Sequence, residues 1–284
     1  MAERKAGRGR NRSTALPEER RRSIIELVRT RPLVRADELA SRLGVSIETI
    51  RRDLSALEQA GLTRRVYGGV TRPPAHSFEP PFEQRRIANA DAKQAMARLA
   101  VSLVYPDSTV VLDIGTSVAE VARQLPPDFH GRVITNSILV TAELSGRAGI
   151  ELLLTGGRVR SGDGACYGPH AETLLDGFYG GIAFLGSGGV HPAIGLTDHH
   201  IDEIPSRRII IDHADEVYVL ADSSKLGQVA PAKVCDLSVV SGVITDDRAE
   251  PALRQAFADA GVRLLVASTL ASTGTGGAEG VRMA

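Results

Sequence analysis

The chain has 284 residues, 43% of them apolar, with only two cysteines, a composition that excludes wholesale disorder and a disulfide-stapled miniature scaffold. Basic and acidic side chains number 34 each, and a net charge of zero argues, on its face, against a nucleic-acid partner. Divided at residue 72, the charge is +8 for residues 1–72 and −8 for the remainder, so the neutrality is a cancellation between two differently charged parts.

The basic start, MAERKAGRGRNRS, has no apolar stretch behind it and does not read as a signal peptide. No run approaches the roughly 20 apolar residues of a membrane span, so no membrane partner is expected and the cytoplasm is the expected compartment. Cys166 and Cys235 stand apart from each other, which gives neither a zinc motif nor a redox pair. No cofactor is called for.

Residues 1–15 read as a disordered basic arm in which Lys5, Arg8, Arg10 and Arg12 can touch phosphates without regard to sequence. Residues 16–72 form a compact basic unit. Its first helix is predicted over Arg21–Thr30, with Ile24, Ile25, Leu27 and Val28 as the apolar stripe, and Pro32 ends it. A short helix over Asp37–Leu43 follows. Gly44 is placed for a left-handed turn and Ser46 for an N-cap.

The third helix is expected from Ile47 to Ala60. Ile50, Leu54 and Leu57 face inward, which leaves Glu48, Thr49, Arg51, Arg52 and Ser55 outward. Helix, short helix, glycine turn and longer helix is the helix-turn-helix layout, whose second helix enters the major groove. Thr49 offers a methyl and a hydroxyl; Arg51 and Arg52 can grip guanine edges or phosphate, and Asp53 can pair with an arginine. LTRRVYGGVT then alternates apolar and basic residues up to the Gly68–Gly69 turn, a two-stranded wing that carries Arg64 and Arg65. The candidate DNA-contacting set is Ser46, Glu48, Thr49, Arg51, Arg52, Arg64 and Arg65.

Residues 73–84, rich in proline, read as an extended linker, residues 85–267 as a larger domain and residues 268–284 as a flexible tail. In the larger domain a helix over Lys93–Leu103 is followed by seven apolar strands, around 109–115, 132–137, 151–157, 181–189, 216–225, 237–246 and 262–267. Continuous Val, Ile and Leu runs separated by helices indicate a sheet covered on both faces, hence an α/β fold. Ligands bind beyond the carboxyl ends of such strands. There stand Asp113, Gly115, Thr116 and Ser117, which lead into a helix whose free N–H groups favour an anion. Asn136, Arg158, the Gly186–Gly189 loop with Gly186 and Gly188, Asp222 and Lys225 complete the effector-site candidates at the strand ends. An anion-binding rim with carboxylates that read hydroxyls suggests a small, phosphorylated, polyhydroxylated ligand. GSGG fits neither a Walker A loop nor the GxGxxG fingerprint.

Residues 20–70, through DELASRLGVSIETIRRDLSALEQAGLTRRVYGG, closely resemble the N-terminal helix-turn-helix of the DeoR family of bacterial transcriptional regulators. LDIGTS, VITNS, LLTGG, ADSSKLG and VITD resemble that family's effector domain over roughly residues 85–267. The resemblance implies a winged helix-turn-helix joined to an α/β sensor that resembles sugar-phosphate isomerases. It places Asp113, Gly115, Thr116, Asn136, Gly156, Gly157, Asp222 and Lys225 on the ligand-site motifs. Two departures stand out. Gly181 occupies the place of a common carboxylate in Asp-x-Ala-Phe, and Arg207, followed by Arg208, replaces a common lysine; an arginine still binds phosphate, so the resemblance adds Arg207 to the effector-site candidates.

The expected function is a transcriptional regulator, a repressor of carbohydrate-metabolism genes. Its partners are double-stranded operator DNA, a phosphorylated sugar-like effector and further copies of itself, as dimer or tetramer. One alternative is a sugar-phosphate isomerase-like enzyme, for which Asp113, Asp163, Asp198, Glu203 and His191 are candidate bases by type only. Another is a constitutive DNA-binding protein with a degenerate sensor. No catalytic set is assigned, and HHID at 199–202 reads as solvated loop rather than as a metal site.

Overall fold

The structure is a computed structural model that describes residues 16–31, 33–59, 63–66, 68–71 and 79–270. The arm with Lys5, Arg8, Arg10 and Arg12, the helix ends expected at Pro32 and Ala60, residues 72–78 with the start of the linker and the tail beyond Leu270 lie outside the described residues. The chain divides into two compact units between Pro80 and Pro81.

In the first unit, α1 spans Pro17–Thr30 and starts four residues earlier than its apolar stripe indicates. Proline at the first helical position and Glu18 and Glu19 in the first turn suit a helix N-terminus, which an apolar stripe alone does not locate. Strand β1 (Val34–Arg35), which the sequence did not announce, leads into α2 (Ala36–Leu43). Gly44 is left-handed, φ 67°, and Ser46 Oγ accepts the Thr49 N–H at 3.1 Å to open α3 (Ile47–Gln59). The wing is β2 (Arg64–Val66) and β3 (Gly69–Thr71), and β3 lies between β1 and β2. A Cβ at Gly69 would lie 2.4 Å from the Val34 carbonyl oxygen, so only glycine lets these strands approach. Ile24, Val28, Val34, Leu39, Ile50, Leu54, Leu57 and Val70 form the core.

The second unit opens with α4 (Phe82–Ile87) and α5 (Ala90–Val101), so a helix begins inside the stretch read as linker. Then come β4 (Thr109–Leu112), α6 (Thr116–Gln124), β5 (Gly131–Thr135), α7 (Ile138–Leu144), β6 (Ile150–Leu154), β7 (Arg158–Val159) and β8 (Cys166–Tyr167). Next are α8 (Pro169–Asp176), β9 (Gly180–Leu185), β10 (Gly189–His191), β11 (Gly195–Asp198), α9 (Ile204–Asp212) and β12 (Ala214–Leu220). The described chain closes with β13 (Ala232–Cys235), β14 (Gly242–Asp246), α10 (Pro251–Asp259) and β15 (Leu264–Ala267).

Seven strands form a parallel sheet in the order β15-β14-β12-β9-β4-β5-β6, which accounts for the seven apolar runs. Val110, Leu112 and Phe184 pack with Met96, Val118 and Val121 on one face; Val111, Ala183 and Leu185 pack with Leu175, Ile210 and Phe257 on the other. The chain winds from β4 outward to β6 and then resumes on the other side of β4 at β9. The switch point is therefore between β4 and β9, and a crevice at their carboxyl ends is where such sheets take ligands. The β7–β8 ribbon and the β10–β11–β13 sheet are built from strands of two to four residues, too short to show a period in the sequence. Among the described residues no helix is long and apolar enough to cross a membrane, and both cysteines are free.

Candidate functional site

On α3 the inward stripe includes a charge. Asp53, 3% exposed, lies between Ile50 and Leu54 and accepts from Arg20 Nε at 2.5 Å and Arg21 Nε at 3.1 Å. Its arginine partners come from α1, so the carboxylate clamps two helices and leaves the arginines of α3 to solvent. Ser46, Glu48, Arg51 and Arg52 are exposed and Thr49 is half-buried. Glu48 and Arg51 make a 3.7 Å ion pair one turn apart, a solvated contact that DNA can outcompete. The Arg52 and Arg64 side chains have no hydrogen-bond or ion-pair partner among the described residues.

The wing is tied to the helix through Arg65, whose N–H donates to Glu58 Oε1 at 2.9 Å and whose Nη1 donates to Ser55 Oγ at 3.1 Å. A 270 Å³ cleft is lined by Ile47, Arg51, Arg65 and Gly68, so the start of α3 and the wing share one surface. Ile47, 43% exposed at the head of α3, was missed by sequence reasoning; an exposed apolar side chain in this position suits a thymine methyl.

At the switch point of the second unit a buried ion cluster has formed. Arg207, on α9, donates from Nε to Asp113 Oδ2 at 2.8 Å and from Nη1 to Asp198, and its Nη2 stands 3.0 Å from Glu203 Oε2. All four side chains are at most 5% exposed. Arg160 continues the network to Glu203 and to Asp163, the latter at 2.5 Å. Arg207, an effector-site candidate, has its fork spent on three carboxylates, and a further anion would face those charges. Burial is the largest influence on Glu203 and pushes its carboxyl up to about 7, Asp198 and Asp113 adding to it against Arg207 and Arg160. Burial also opposes ionisation of Asp198, but Arg207 and the His200 N–H overcome it and hold the carboxyl well below the usual range.

The other candidates gather around this cluster. Gly186 N–H donates to Asp113 Oδ2 at 3.1 Å and Asn136 Nδ2 to Asp113 Oδ1 at 3.4 Å. Asn136 Oδ1 is buried without a donor among the described residues. Gly115 (φ 118°) caps α6, and Thr116 and Ser117 are its buried first residues. Asp222 Oδ1 accepts the Ser224 N–H at 3.0 Å, and the Lys225 ammonium donates to the Ser187 carbonyl.

Other candidates are explained by local structure. Gly156 and Gly157 are left-handed, and a Cβ at Gly157 would stand 2.8 Å from the Tyr167 carbonyl, so the pair serves the turn into the β7–β8 ribbon. Arg158 is exposed on that ribbon. Gly188 N–H is taken by Thr197 O. Gly181 is the second residue of β9, at the end of the strand away from Gly186 and roughly 16 Å from it at strand rise. A carboxylate at 181 would not reach this crevice, so the departure there leaves the rim intact. His200 comes within 4.8 Å of Asp163 and Glu203 by ligand atoms, whereas the HHID reading looked to sequence neighbours; Arg160 donates to both carboxylates, so the cation of that cluster is a guanidinium.

Lys93 was missed altogether. It lies on the buried face of α5 with Met96, Ala97 and Ala100, 5% exposed, and its ammonium donates to the carbonyls of Arg85 and Ala88. Burial, only partly offset by Asp222, pushes the ammonium down to about 8. The signal was legible: a charge at a position of the apolar stripe, as with Asp53.

The family model for the DeoR-like helix-turn-helix domain matches residues 20–75, and that for the DeoR C-terminal sensor domain matches residues 88–247. The chain belongs to the DeoR family of transcriptional regulators. This DeoR-family chain is 34% identical to the HTH-type transcriptional regulator GlpR of Haloferax volcanii, over 88% of its own length and 98% of that protein's. It is 30% identical to the glycerol-3-phosphate regulon repressor of Escherichia coli, over 87% and 97% of the two chains. Ribose 5-phosphate isomerase A of Methanocaldococcus jannaschii overlaps 49% of this chain and 55% of its own, at a TM-score of 0.37 and 23% identity. The DeoR-family regulator thus carries a DNA-binding unit and a sensor unit, and its relatives are named as regulators, not as enzymes.

Proposed function

We propose that this DeoR-family regulator represses genes of carbohydrate metabolism from the cytoplasm, as a homo-oligomer, and that a small phosphorylated, polyhydroxylated effector binds at the carboxyl ends of β4, β5, β9 and β12. The observation that carries the effector reading is Asn136 Oδ1, a buried acceptor with no donor among the described residues, beside Asp113 and one strand from the head of α6. A ligand hydroxyl supplies the missing donor. Thr116, Ser117 and the free N–H groups of α6 suit the phosphate, and Asp222 and Lys225 take the remaining polar groups. Arg207 acts through Asp113, holding it in place, rather than on the ligand. The names of the relatives, among them a glycerol-3-phosphate regulon repressor, support the ligand class.

On the DNA side, Thr49, Arg51 and Arg52 read the major groove with Ser46 and Glu48 at the head of the helix, and Arg64 and Arg65 hold the backbone from the wing. The test is fluorescence anisotropy of DNA from the gene's own upstream region, titrated with the full chain with and without a panel of sugar and polyol phosphates. One ligand shifting the affinity is the expected result. Specific binding that no phosphate alters would leave the constitutive reading, which the saturation of Arg207 favours; turnover of a panel member without specific binding would sink the regulator reading.

A further inference from the structure

The segment from Phe82 to Asn89 is the first structured stretch of the sensor unit, and the proline-rich connector runs directly into it. It is held to the unit at three points. The Lys93 ammonium takes the carbonyls of Arg85 and Ala88, two of the terminal acceptors that a helix cannot satisfy by itself. Asn89 Nδ2 donates to Asp222 Oδ1 at 3.1 Å and to Ser224 Oγ at 3.3 Å. The Arg85 guanidinium stands 4.0 Å from Asp163, within the network that ends at Arg207. Asn89 has φ 51°, one of two non-glycine residues in the left-handed region among the described residues, so its contacts hold a conformation that costs free energy. A 360 Å³ pocket has Phe82, Glu83 and Arg86 of this segment on one side and Lys93 and Thr116 on the other.

We infer that the Phe82–Asn89 segment is a latch, and that an anionic, hydroxyl-bearing effector opens it by taking over Lys93 and Asp222. This rests on the effector reading above. A phosphate draws an ammonium more strongly than peptide carbonyls do, because both partners are charged. Asp222 Oδ1 already accepts from Asn89, from the Ser224 N–H and from the Ser224 hydroxyl. A ligand hydroxyl that donates to this same oxygen displaces one of them, and Asn89 is the partner not held in the same turn. Its release also relieves the left-handed backbone. The connector then leaves the sensor unit from a freed segment instead of a fixed one. By linkage, whatever opens the latch raises the affinity for the anion by the same factor that the anion opens it.

Hydrogen exchange and operator binding, both on the full chain, test this. In Asn89→Ala and in Lys93→Met the amides of residues 85–88 should exchange about 5-fold faster or more, as expected for loss of a hydrogen bond, while the strands of the sheet keep their protection. Operator affinity without ligand should change by about 5-fold or more, the size of an ordinary allosteric coupling, and in the same direction for both variants. Inorganic phosphate at matched ionic strength should speed exchange of the same amides in the wild type and not in Lys93→Met. Should Lys93→Met fail to fold, Asn89→Ala with the phosphate titration of the wild type carries the test. Unchanged exchange in the variants, phosphate that leaves the segment unaltered or protects it, or a loosened segment with unaltered operator affinity would each overturn the latch. The effector reading fails separately, if no phosphorylated ligand alters operator binding.

Discussion

Asp53 and Arg52 are neighbours on one helix with opposite fates, because 3.6 residues per turn sends one inward and the other out. Asp53 is closed in by Arg20 and Arg21. Asp53→Asn removes the charge that two guanidiniums share across α1 and α3 and should destabilise the first unit by about 3 kcal/mol, read as a loss of amide protection in α1 and α3. Arg52→Ala leaves the fold alone. If Arg52 grips a phosphate, the variant lowers operator affinity and reduces the salt slope of binding by about 0.9; unchanged affinity and slope refute the placement. Both residues were visible in the sequence, and their sidedness followed from Ile50, Leu54 and Leu57. The identity of Asp53's partners did not, since they lie more than 30 residues away.

At the scale of elements, the wing shows how a two-residue motif divides its work. Gly68 (φ 79°) supplies the turn, while Gly69 is required by the closeness of the Val34 carbonyl. Gly69→Ala should part β3 from β1, lower the melting temperature through an overpacking cost of about 1–3 kcal/mol, and weaken operator binding although Arg64 and Arg65 remain. Calorimetry and anisotropy on the one variant check both halves; wild-type DNA affinity would mean that the wing is not part of the interface. The helices of the first unit and the seven strands of the parallel sheet were legible from their apolar stripes and continuous apolar runs, whereas the six-residue α4 was too short to stand out from the proline-rich linker. Strand β1 has two residues and no period, and exists only because β3 offers it a partner.

For the whole molecule, the buried cluster makes stability depend on pH. The folded pKa of Glu203, about 7, lies above its ordinary 4.5. The folded state therefore holds the proton more tightly than the unfolded one. The resulting stabilisation is complete below pH 4.5 and is lost as pH rises through 7. Glu203→Gln removes that titration. The melting temperature of the wild type relative to Glu203→Gln should thus fall between pH 4.5 and 7 and stay level above; a flat difference would show that Glu203 is ionised throughout. In the same cluster, Arg207→Ala leaves three buried carboxylates facing one another and should cost about 3–5 kcal/mol in thermal unfolding, more than any exposed arginine of the sensor unit.

Local rules determined the two-part organisation, the helix-turn-helix with its wing, and an α/β sensor with its polar residues at strand ends. Charge content, apolar period, N-caps and glycine turns act within a few residues of where they are written, so a linear reading finds them. Which charges meet was decided only by the order of the strands. Asp113 and Arg207 are 94 residues apart and touch because β4 and β9 are neighbours at the switch point, with α9 packed against β9. The same geometry sets Gly181 at the far end of its strand and lays Asn89 against Asp222. Electrostatic partnership depends on distance in space and on exclusion of water, and both are properties of the packed sheet.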